Sequence, residues 1–321
     1  MAGLIFTAKQ EGSVLIVSLW ILALLTLTVL AAAHSLGVET RLATYQWQET
    51  RLLRAARAAV MTCSDDLRSP AISSAPTLSQ PWRGNPSLYQ ARALPDGIFT
   101  LQHQDGGQTL YGFEDESSRI NLNTAPPDVL DRLFASAPGV SAALQDWIDA
   151  DDATRPGGAE KDEYNGEGPR NGPLKTVDEL LLVIGVTPEI FRQVEPLVTV
   201  QGSGRVNLNT ASEQVLEMIG LTPSLAQKIV LFRLGDDGQP GTVDDGVFSD
   251  PAAAASLPGL RPEDVSSLQN AVKRNLLGAY SEALRLNLHV QLDEGAWRDF
   301  RIVMKPGAWP PKILVWREAS W

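Results

Sequence analysis

The sequence VLIVSLWILALLTLTVLAAA, residues 14–33, decides the fold, because these twenty residues contain neither a charge nor a proline. Twenty residues of α-helix span a hydrocarbon core of about 30 Å. Residues 34–67 continue with the spacing of an amphipathic helix, and no break separates the two parts. We therefore predict one helix over residues 13–67 that is retained as a membrane anchor. The alternative is a signal peptide cleaved near the small residues 31–33.

The composition excludes several classes of protein. The chain has 321 residues, 44% hydrophobic residues and 20% charged residues, which is typical of globular domains and not of disordered chains. A lone cysteine, Cys63, excludes an internal disulfide. The net charge of -11 arises in two acidic windows, residues 146–167 and 236–250, and the chain outside them has 25 acids and 25 bases. The acidity therefore marks two local sites that favour cations.

The segment before the apolar run resembles a processing site. It reads MAGLIFTAKQEG and ends at Gly12, with Ser13 next. This is similar to type IV pilins and type II secretion pseudopilins. The resemblance implies a domain 1–12 that is a prepilin leader. In that family a prepilin peptidase cuts after the glycine and methylates the new N-terminus, which leaves the helix in the inner membrane. Only Lys9 is basic here, so membrane orientation is weakly encoded.

Val17 distinguishes this chain from most members of the pilin and pseudopilin family. Most members of the family have a glutamate at the fifth mature position, which here is Val17. An uncharged residue there is similar to the K minor pseudopilin of type II secretion, also called the general secretion pathway protein K family. The resemblance implies a subunit at the tip of the periplasmic pseudopilus, with the I, J and H minor pseudopilins as partners. An ordinary anchor, with Val17 facing lipid, is the alternative.

Strand-like segments occur at both ends of the soluble part. Residues 97–103 and 108–113 flank an Asp-Gly-Gly turn, and three more segments cover residues 284–292, 297–304 and 313–317. We predict one antiparallel sheet from residues 68–115 and 281–321, packed against the long N-terminal helix. The expected class is α+β, pilin-like, with a large inserted all-α domain at 116–280.

The inserted region contains a duplication. RINLNTA at residues 119–125 recurs as RVNLNTA at 205–211, and helix, glycine hairpin, helix follows about four times. We expect Thr124 and Thr210 to cap the next helices. This is the helix-hairpin-helix, or SAM-like, pattern, so DNA binding for uptake is the rival function. Each hairpin has one glycine and the region is acidic, which disfavours phosphate contact.

The two acidic windows lie at equivalent places in the duplication and predict two calcium sites. The K family binds calcium in a loop of this kind. Neither window contains His or Cys, which disfavours soft metals. Solvated acidic loops are the alternative. The candidate ligands are Asp149, Asp151, Asp152, Glu160, Asp162 and Glu163 in the first loop, and Asp236, Asp237, Asp244 and Asp245 in the second.

Catalytic motifs are missing from the sequence. There is no His-Glu-x-x-His, Gly-x-Ser-x-Gly or phosphate loop, and the three histidines are scattered. We expect a structural protein without catalytic residues, whose C-terminal domain lies in the periplasm.

Overall fold

The computed structural model describes residues 11–68, 82–105, 108–165, 168–238, 244–307 and 309–319. The chain divides into two compact units, which meet in sequence between Arg54 and Ala55. Helix α1 covers Glu11–Arg68, in agreement with the predicted helix at 13–67. Residues 1–10 of the predicted leader lie outside the described residues, and the side chains of Gly12 and Ser13 are not described either.

The first unit is apolar on its surface over the span that the sequence predicts to be an anchor. Its hydroxyl groups are bonded within the helix: Ser18 donates to the Leu15 carbonyl at 2.9 Å and Thr26 to the Ala23 carbonyl at 2.8 Å. Internal bonding of this kind allows polar side chains inside a membrane. Among the described residues, this helix is long and apolar enough to cross a bilayer by length and composition.

The second unit contains the sheet. The strands of this sheet are β1 (Arg92–Leu94), β2 (Gly97–Asp105), β3 (Gln108–Tyr111), β4 (Glu114–Asp115), β9 (Leu284–Leu292), β10 (Trp297–Lys305) and β11 (Lys312–Ala319). All strand pairs of the sheet are antiparallel, in the order β1-β2-β9-β10-β11, with β3 beside β2 and β4 beside β9. Strands from both ends of the chain therefore pair, as predicted, with Phe99 opposite Val290. The short strands β1 and β4 were not expected.

Alternation along β9 separates the two faces of the sheet. Leu284, Leu286 and Leu288 are buried, while Asn287 and His289 on the other face are only half-buried. Strands alternate in this way when one face lies on a core, and each buried leucine contributes about 1.5–3 kcal/mol. The C-terminal part of α1 lies on the apolar face, where Ser64 Oγ donates to Met304 Sδ at 3.5 Å. This contact confirms the helix-on-sheet arrangement.

Between β4 and β9 the chain consists mostly of short helices. These are α3 (Pro127–Leu133), α4 (Val140–Ile148), α5 (Pro188–Val194), α6 (Glu213–Met218), α7 (Pro223–Arg233) and α8 (Pro262–Lys273), with 3₁₀ turns at Val177–Leu182 and Pro251–Ser256; α2 (Pro86–Tyr89) precedes the sheet. Two parallel pairs of two-residue strands join them: β5 (Ile120–Asn121) with β6 (Val198–Thr199), and β7 (Val206–Asn207) with β8 (Leu277–Gly278). Both copies of the repeat share one hydrophobic core.

The predicted glycine hairpins are all formed. Their glycines have left-handed backbone angles, with φ of 92° at Gly139, 87° at Gly185, 103° at Gly220 and 65° at Gly259. Glycine adopts this region at little cost, which allows the chain to reverse between two helices. The prediction that Thr124 and Thr210 cap the next helices is wrong. Helix α3 follows Pro126 without a side-chain cap, and Ser212 caps α6 by accepting from the Val215 amide.

The sheet and the helical region meet at a buried ion pair. Arg285 of β9 donates through Nε and Nη2 to the Glu116 carboxylate, at 2.7 and 2.9 Å. Thr199 Oγ1 donates to the same carboxylate at 2.7 Å. Burial raises the pKa of Glu116, but the guanidinium groups of Arg285 and Arg119 lower it more, so its pKa lies below the ordinary value. Glu116 therefore stays ionised and connects both layers.

Replacing Glu116 should destabilise the fold strongly. Glu116→Ala leaves Arg285 buried without its main partner, and we expect the free energy of unfolding to fall by about 3–5 kcal/mol. Glu263→Ala is the matched control, since its pair with Arg261 is more than half exposed and should contribute less than about 1 kcal/mol. Denaturant unfolding of the full chain in detergent measures both. Equal losses in the two variants would contradict the assignment.

Candidate metal centre

The repeated motif fixes where the first acidic loop ends. Asn123 donates through Nδ2 to the Leu174 carbonyl at 2.9 Å, and its Oδ1 accepts from the Leu174 amide at 2.8 Å. Leu174 is the first buried apolar residue after the loop. Backbone groups that are buried need partners, and Asn123 supplies both. The motif thus closes the loop at its far end.

The second copy repeats these contacts. Asn209 donates to the Phe248 carbonyl at 2.9 Å and accepts from the Phe248 amide at 2.8 Å. Asn209 also donates to the Ala279 carbonyl at 3.0 Å. Phe248 follows the second acidic loop as Leu174 follows the first. The equivalent places of the two loops in the sequence therefore have a common structural basis.

Asp146 organises the start of the first loop. It lies in α4 and is fully buried. Its Oδ2 accepts from the amides of Arg155 and Ala159 at 3.2 and 2.9 Å, and its Oδ1 accepts from Arg155 Nη1 at 2.7 Å. A Cβ on Gly158 would overlap Asp146 Oδ2, so glycine is required there. Sequence reasoning missed Asp146, although an acid between the apolar residues Leu144 and Trp147 was a signal.

Glu160 is the buried acid of the first loop whose carboxylate has the fewest partners. It is 4% exposed, and neither of its carboxylate oxygens has a hydrogen-bond partner among the described residues. Burial raises its pKa, and so do the nearby carboxylates of Asp146, Asp149, Asp152 and Asp151. Three of these, Asp149, Asp151 and Asp152, are other predicted ligands of the first loop, so their negative charges act on Glu160. A buried carboxylate without partners is costly unless a cation neutralises it.

The remaining predicted ligands of the first loop differ in their contacts. Asp149 is bonded to Arg155 through Oδ2, while its Oδ1 is buried without a described partner. Asp152 Oδ1 accepts from Asn171 Nδ2 at 2.8 Å, and Asn171 Oδ1 has no described partner.

Two other acids of the first loop accept hydrogen bonds from backbone amides. Asp151 accepts from the Ala153 amide at 2.9 Å, and Glu163 accepts from the Glu160 amide at 2.9 Å. Asp162 is exposed.

The second loop is described only in part, because residues 239–243 lie outside the described residues. Asp244 Oδ2 accepts from the amides of Asp236 and Asp237 at 2.7 and 3.2 Å. Asp236 and Asp237 are exposed, and Asp245 is half-buried. The loop thus brings Asp244 onto the turn that carries the other two aspartates. Its described part has no buried carboxylate comparable to Glu160.

The donor set fits calcium better than a soft metal. Oxygen atoms of Asp149, Glu160 and Asn171 are buried without described partners, and Ca²⁺ takes six to eight such oxygens. Within the described residues, no three acidic, histidine or cysteine side chains already converge on one point. In the first loop the carboxylates of Asp146 and Asp149 turn to Arg155. Calcium would therefore require a local rearrangement of side chains.

The histidines of the sheet have structural contacts. His103 Nδ1 lies 3.2 Å from the Gly112 carbonyl, and His289 Nδ1 lies 2.7 Å from Asp299 Oδ1. Both lie far in sequence from the acidic loops.

A long apolar helix that continues onto an antiparallel sheet, with helical hairpins inserted between its strands, defines a pilin-like α+β protein. Residues 118–203 match the family model for "Type II secretion system (T2SS), protein K". The matched residues contain the first motif and the first acidic loop. The predicted resemblance to the protein K family is therefore confirmed.

A solved structure has the same fold over most of the chain. It is a chain of "the GspK-GspI-GspJ complex from enterotoxigenic Escherichia coli Type 2 Secretion System", with 18% sequence identity and a TM-score of 0.64. The similarity covers 87% of this chain and 98% of that chain. No curated protein sequence matches. The two findings support a minor pseudopilin role.

The motif asparagines can be tested by replacement. Asn209→Ala leaves buried backbone groups of Phe248 unpaired, and we expect a loss of about 2–4 kcal/mol in the free energy of unfolding. Asn123→Ala should cost less, because Asn123 is only half-buried and water can reach it. Asn270→Ala, on the exposed side of α8, should change stability by less than about 0.5 kcal/mol. Thermal and denaturant unfolding provide the measurement, and three equal values would refute the prediction.

Proposed function

We propose that this chain is a minor pseudopilin that caps the tip of the periplasmic pseudopilus of a type II secretion system. The observation that carries the proposal is the protein K match at residues 118–203, together with a fold that spans 98% of the GspK chain. That chain was solved with GspI and GspJ. I and J pseudopilins are therefore the proposed partners here, with H below them. The proposed outcome is support for protein export across the outer membrane.

Val17 supports the tip position. A glutamate at this place in other subunits neutralises an N-terminal amine, and Val17 has no charge with which to do so. A charged group inside the membrane needs a partner. A subunit without that partner fits where no amine has to be neutralised, at the end of the filament. The helical insertion adds bulk that would obstruct another subunit above.

The N-terminal segment is proposed to be processed and to anchor the protein. Cleavage between Gly12 and Ser13 by a prepilin peptidase, with methylation of the new N-terminus, would leave α1 as a single span of the inner membrane. The exposed apolar residues of α1 support an anchor. Residues after the helix would then lie in the periplasm.

DNA capture, the rival function, gains no support from the hairpins. Lys228 Nζ donates to the Pro258 carbonyl at 3.2 Å and is also bonded to the Gly259 carbonyl. Arg132 Nε donates to the Met218 carbonyl at 2.6 Å, just before the Gly220 hairpin. These bases donate to hairpin carbonyls at the surface of the fold. A hairpin that binds DNA directs amides and bases at phosphate.

We also propose that the two acidic loops bind calcium. Glu160 and Asp149 would provide the main ligands of the first site, with Asn171 as a neutral oxygen, and Asp162 as an outer contact. Asp236, Asp237, Asp244 and Asp245 would form the second. When bound, the ion would supply the positive charge that the buried Glu160 carboxylate needs. The proposed role is structural: the ion orders each loop between α4 or α7 and the contact made by the motif asparagine.

Co-purification tests the assembly. When the full chain is expressed with its I and J pseudopilins and extracted in detergent, we expect all three to elute together. The mature chain in that complex should begin at Ser13 by mass spectrometry. Elution without I and J, combined with salt-dependent DNA binding, would overturn the proposal in favour of DNA capture.

Calcium titration tests the metal sites. We expect the full chain in detergent to bind calcium in isothermal calorimetry and to melt at a higher temperature in millimolar calcium, because a ligand that binds only the native state stabilises it. Glu160→Gln should reduce affinity at least tenfold, since a buried anionic ligand is lost.

Asp131→Asn is the matched control for this titration. It removes one negative charge from the exposed side of α3, outside both loops, and should leave calcium affinity unchanged. The absence of binding heat and of a melting shift in the unmodified chain would refute the metal assignment.

A further inference from the structure

Arg155 is the cation already present in the first acidic loop. Its Nη1 lies 2.7 Å from Asp146 Oδ1 and is also bonded to Asp149 Oδ2. Both carboxylates raise the pKa of Arg155, so it remains charged. The other base of the loop, Lys161, is exposed. One guanidinium group thus contacts two carboxylates and compensates the charge of only one.

The two carboxylates depend on Arg155 to different degrees. Asp146 retains the Ala159 and Arg155 backbone amides on Oδ2, whatever the position of the Arg155 side chain. Asp149 is bonded through Oδ2 to Arg155, while Asp149 Oδ1 is buried without a described partner. Release of Arg155 would therefore free Asp149 without undoing the fold of the loop around Asp146.

Glu160 receives nothing from Arg155. Both of its oxygens are buried without described partners. The carboxylates of Asp146 and Asp149, which Arg155 contacts, raise the pKa of Glu160. The positive charge of Arg155 therefore contacts Asp146 and Asp149 and leaves Glu160 without a cationic partner among the described residues. Asp149 is the carboxylate that Arg155 and a second cation would share, because its Oδ2 bonds Arg155 and its Oδ1 has no described partner.

The Arg155 side chain is able to leave. It is 40% exposed, whereas the Asp146 side chain that it contacts is completely buried. The pair with Asp149 is partly exposed on both sides, and ion pairs that reach solvent contribute little. The guanidinium group can therefore leave Asp149 while the Arg155 backbone amide stays bonded to Asp146.

We propose that Arg155 acts as an internal counter-cation that competes with calcium for Asp149. The inference rests on the proposed calcium site. Without calcium, Arg155 limits repulsion among the carboxylates and keeps the loop folded. Calcium binds when it displaces the guanidinium group from Asp149, so the competition raises the calcium concentration at which the loop changes state. Affinity is reduced by the fraction of molecules in which Arg155 occupies the cluster.

Calorimetric calcium titration of four full-length chains in detergent tests the competition. Arg155→Gln removes the competing charge, and we expect calcium to bind about tenfold more tightly, which is the effect of one charge-assisted bond. Arg155→Lys retains a charge but replaces the planar guanidinium group, whose Nη1 contacts both carboxylates, by an ammonium group on a shorter side chain, so its affinity should lie between Arg155→Gln and the unmodified chain.

Melting temperatures provide a second readout. Without calcium, Arg155→Gln should melt below the unmodified chain, and saturating calcium should remove most of that difference. Arg192→Gln is the matched control, because Arg192 is an exposed arginine paired with Glu189 outside the loop. Its calcium affinity and its calcium-dependent melting shift should equal those of the unmodified chain.

The outcomes separate this inference from the metal assignment. Calcium binding by the unmodified chain with equal or weaker binding by Arg155→Gln would overturn the competition alone, and would show that Arg155 only supports the loop. If Arg155→Gln does not fold, equal or weaker binding by Arg155→Lys decides against it in the same way. Tighter binding by Arg155→Gln than by the unmodified chain would support the competition. Absence of binding in every chain would refute the calcium site and the competition together.

Discussion

The fold depends on three successive buried or half-buried carboxylates that join the sheet to the helical region. Each one holds a different part of the chain: Glu114 pairs with Arg119, Asp115 accepts from Asn207 Nδ2 and Thr210 Oγ1 at 2.7 and 2.6 Å, and Glu116 binds Arg285 and Thr199. Buried charges are tolerated only when they are paired and hydrogen-bonded. The three carboxylates therefore exclude alternative placements of the helices on the sheet, since a shift would leave several of them without partners.

The two copies of the repeat make the same contact to their acidic loops, but they make different contacts to the rest of the protein. The second asparagine of each motif holds the end of an acidic loop in the same way. The first asparagine differs: Asn207 donates to Asp115 at the sheet, whereas Asn121 donates to the Gln201 and Gly202 carbonyls at 3.1 and 3.0 Å. The second copy is thus attached to the sheet, and the first copy to the segment that leads into the second. One repeated sequence serves two different positions because its first asparagine can donate to either a carboxylate or a backbone carbonyl.

Much of the fold follows from local sequence, and the site follows only in part. Hydropathy predicts α1, alternation predicts the long strands, and glycine spacing predicts the hairpins. The expected Thr210 cap failed because Ser212, two residues later, caps α6, while the Thr210 hydroxyl group donates to Asp115, 95 residues away. Asp146 and Arg155 were missed for a related reason. Their roles arise when the loop folds back over α4, which depends on Gly158 and on the distant contact between Asn123 and Leu174. Acid clustering located the loop but could not show which acids are buried.

The acids that make up the net charge of -11 differ in how much they destabilise the fold. Most acids of the two windows are exposed or bonded to backbone amides and cost little. Among the buried acids of the described residues, Asp115, Glu116, Asp146, Asp264 and Asp299 all accept hydrogen bonds, and Glu160 alone has two oxygens without a partner. Arg155 bonds Asp146 and Asp149, and neither oxygen of Glu160 has a hydrogen-bond partner among the described residues. The cost of the acidity therefore falls mainly on one carboxylate, because burial of a charged group without hydrogen bonds is costly.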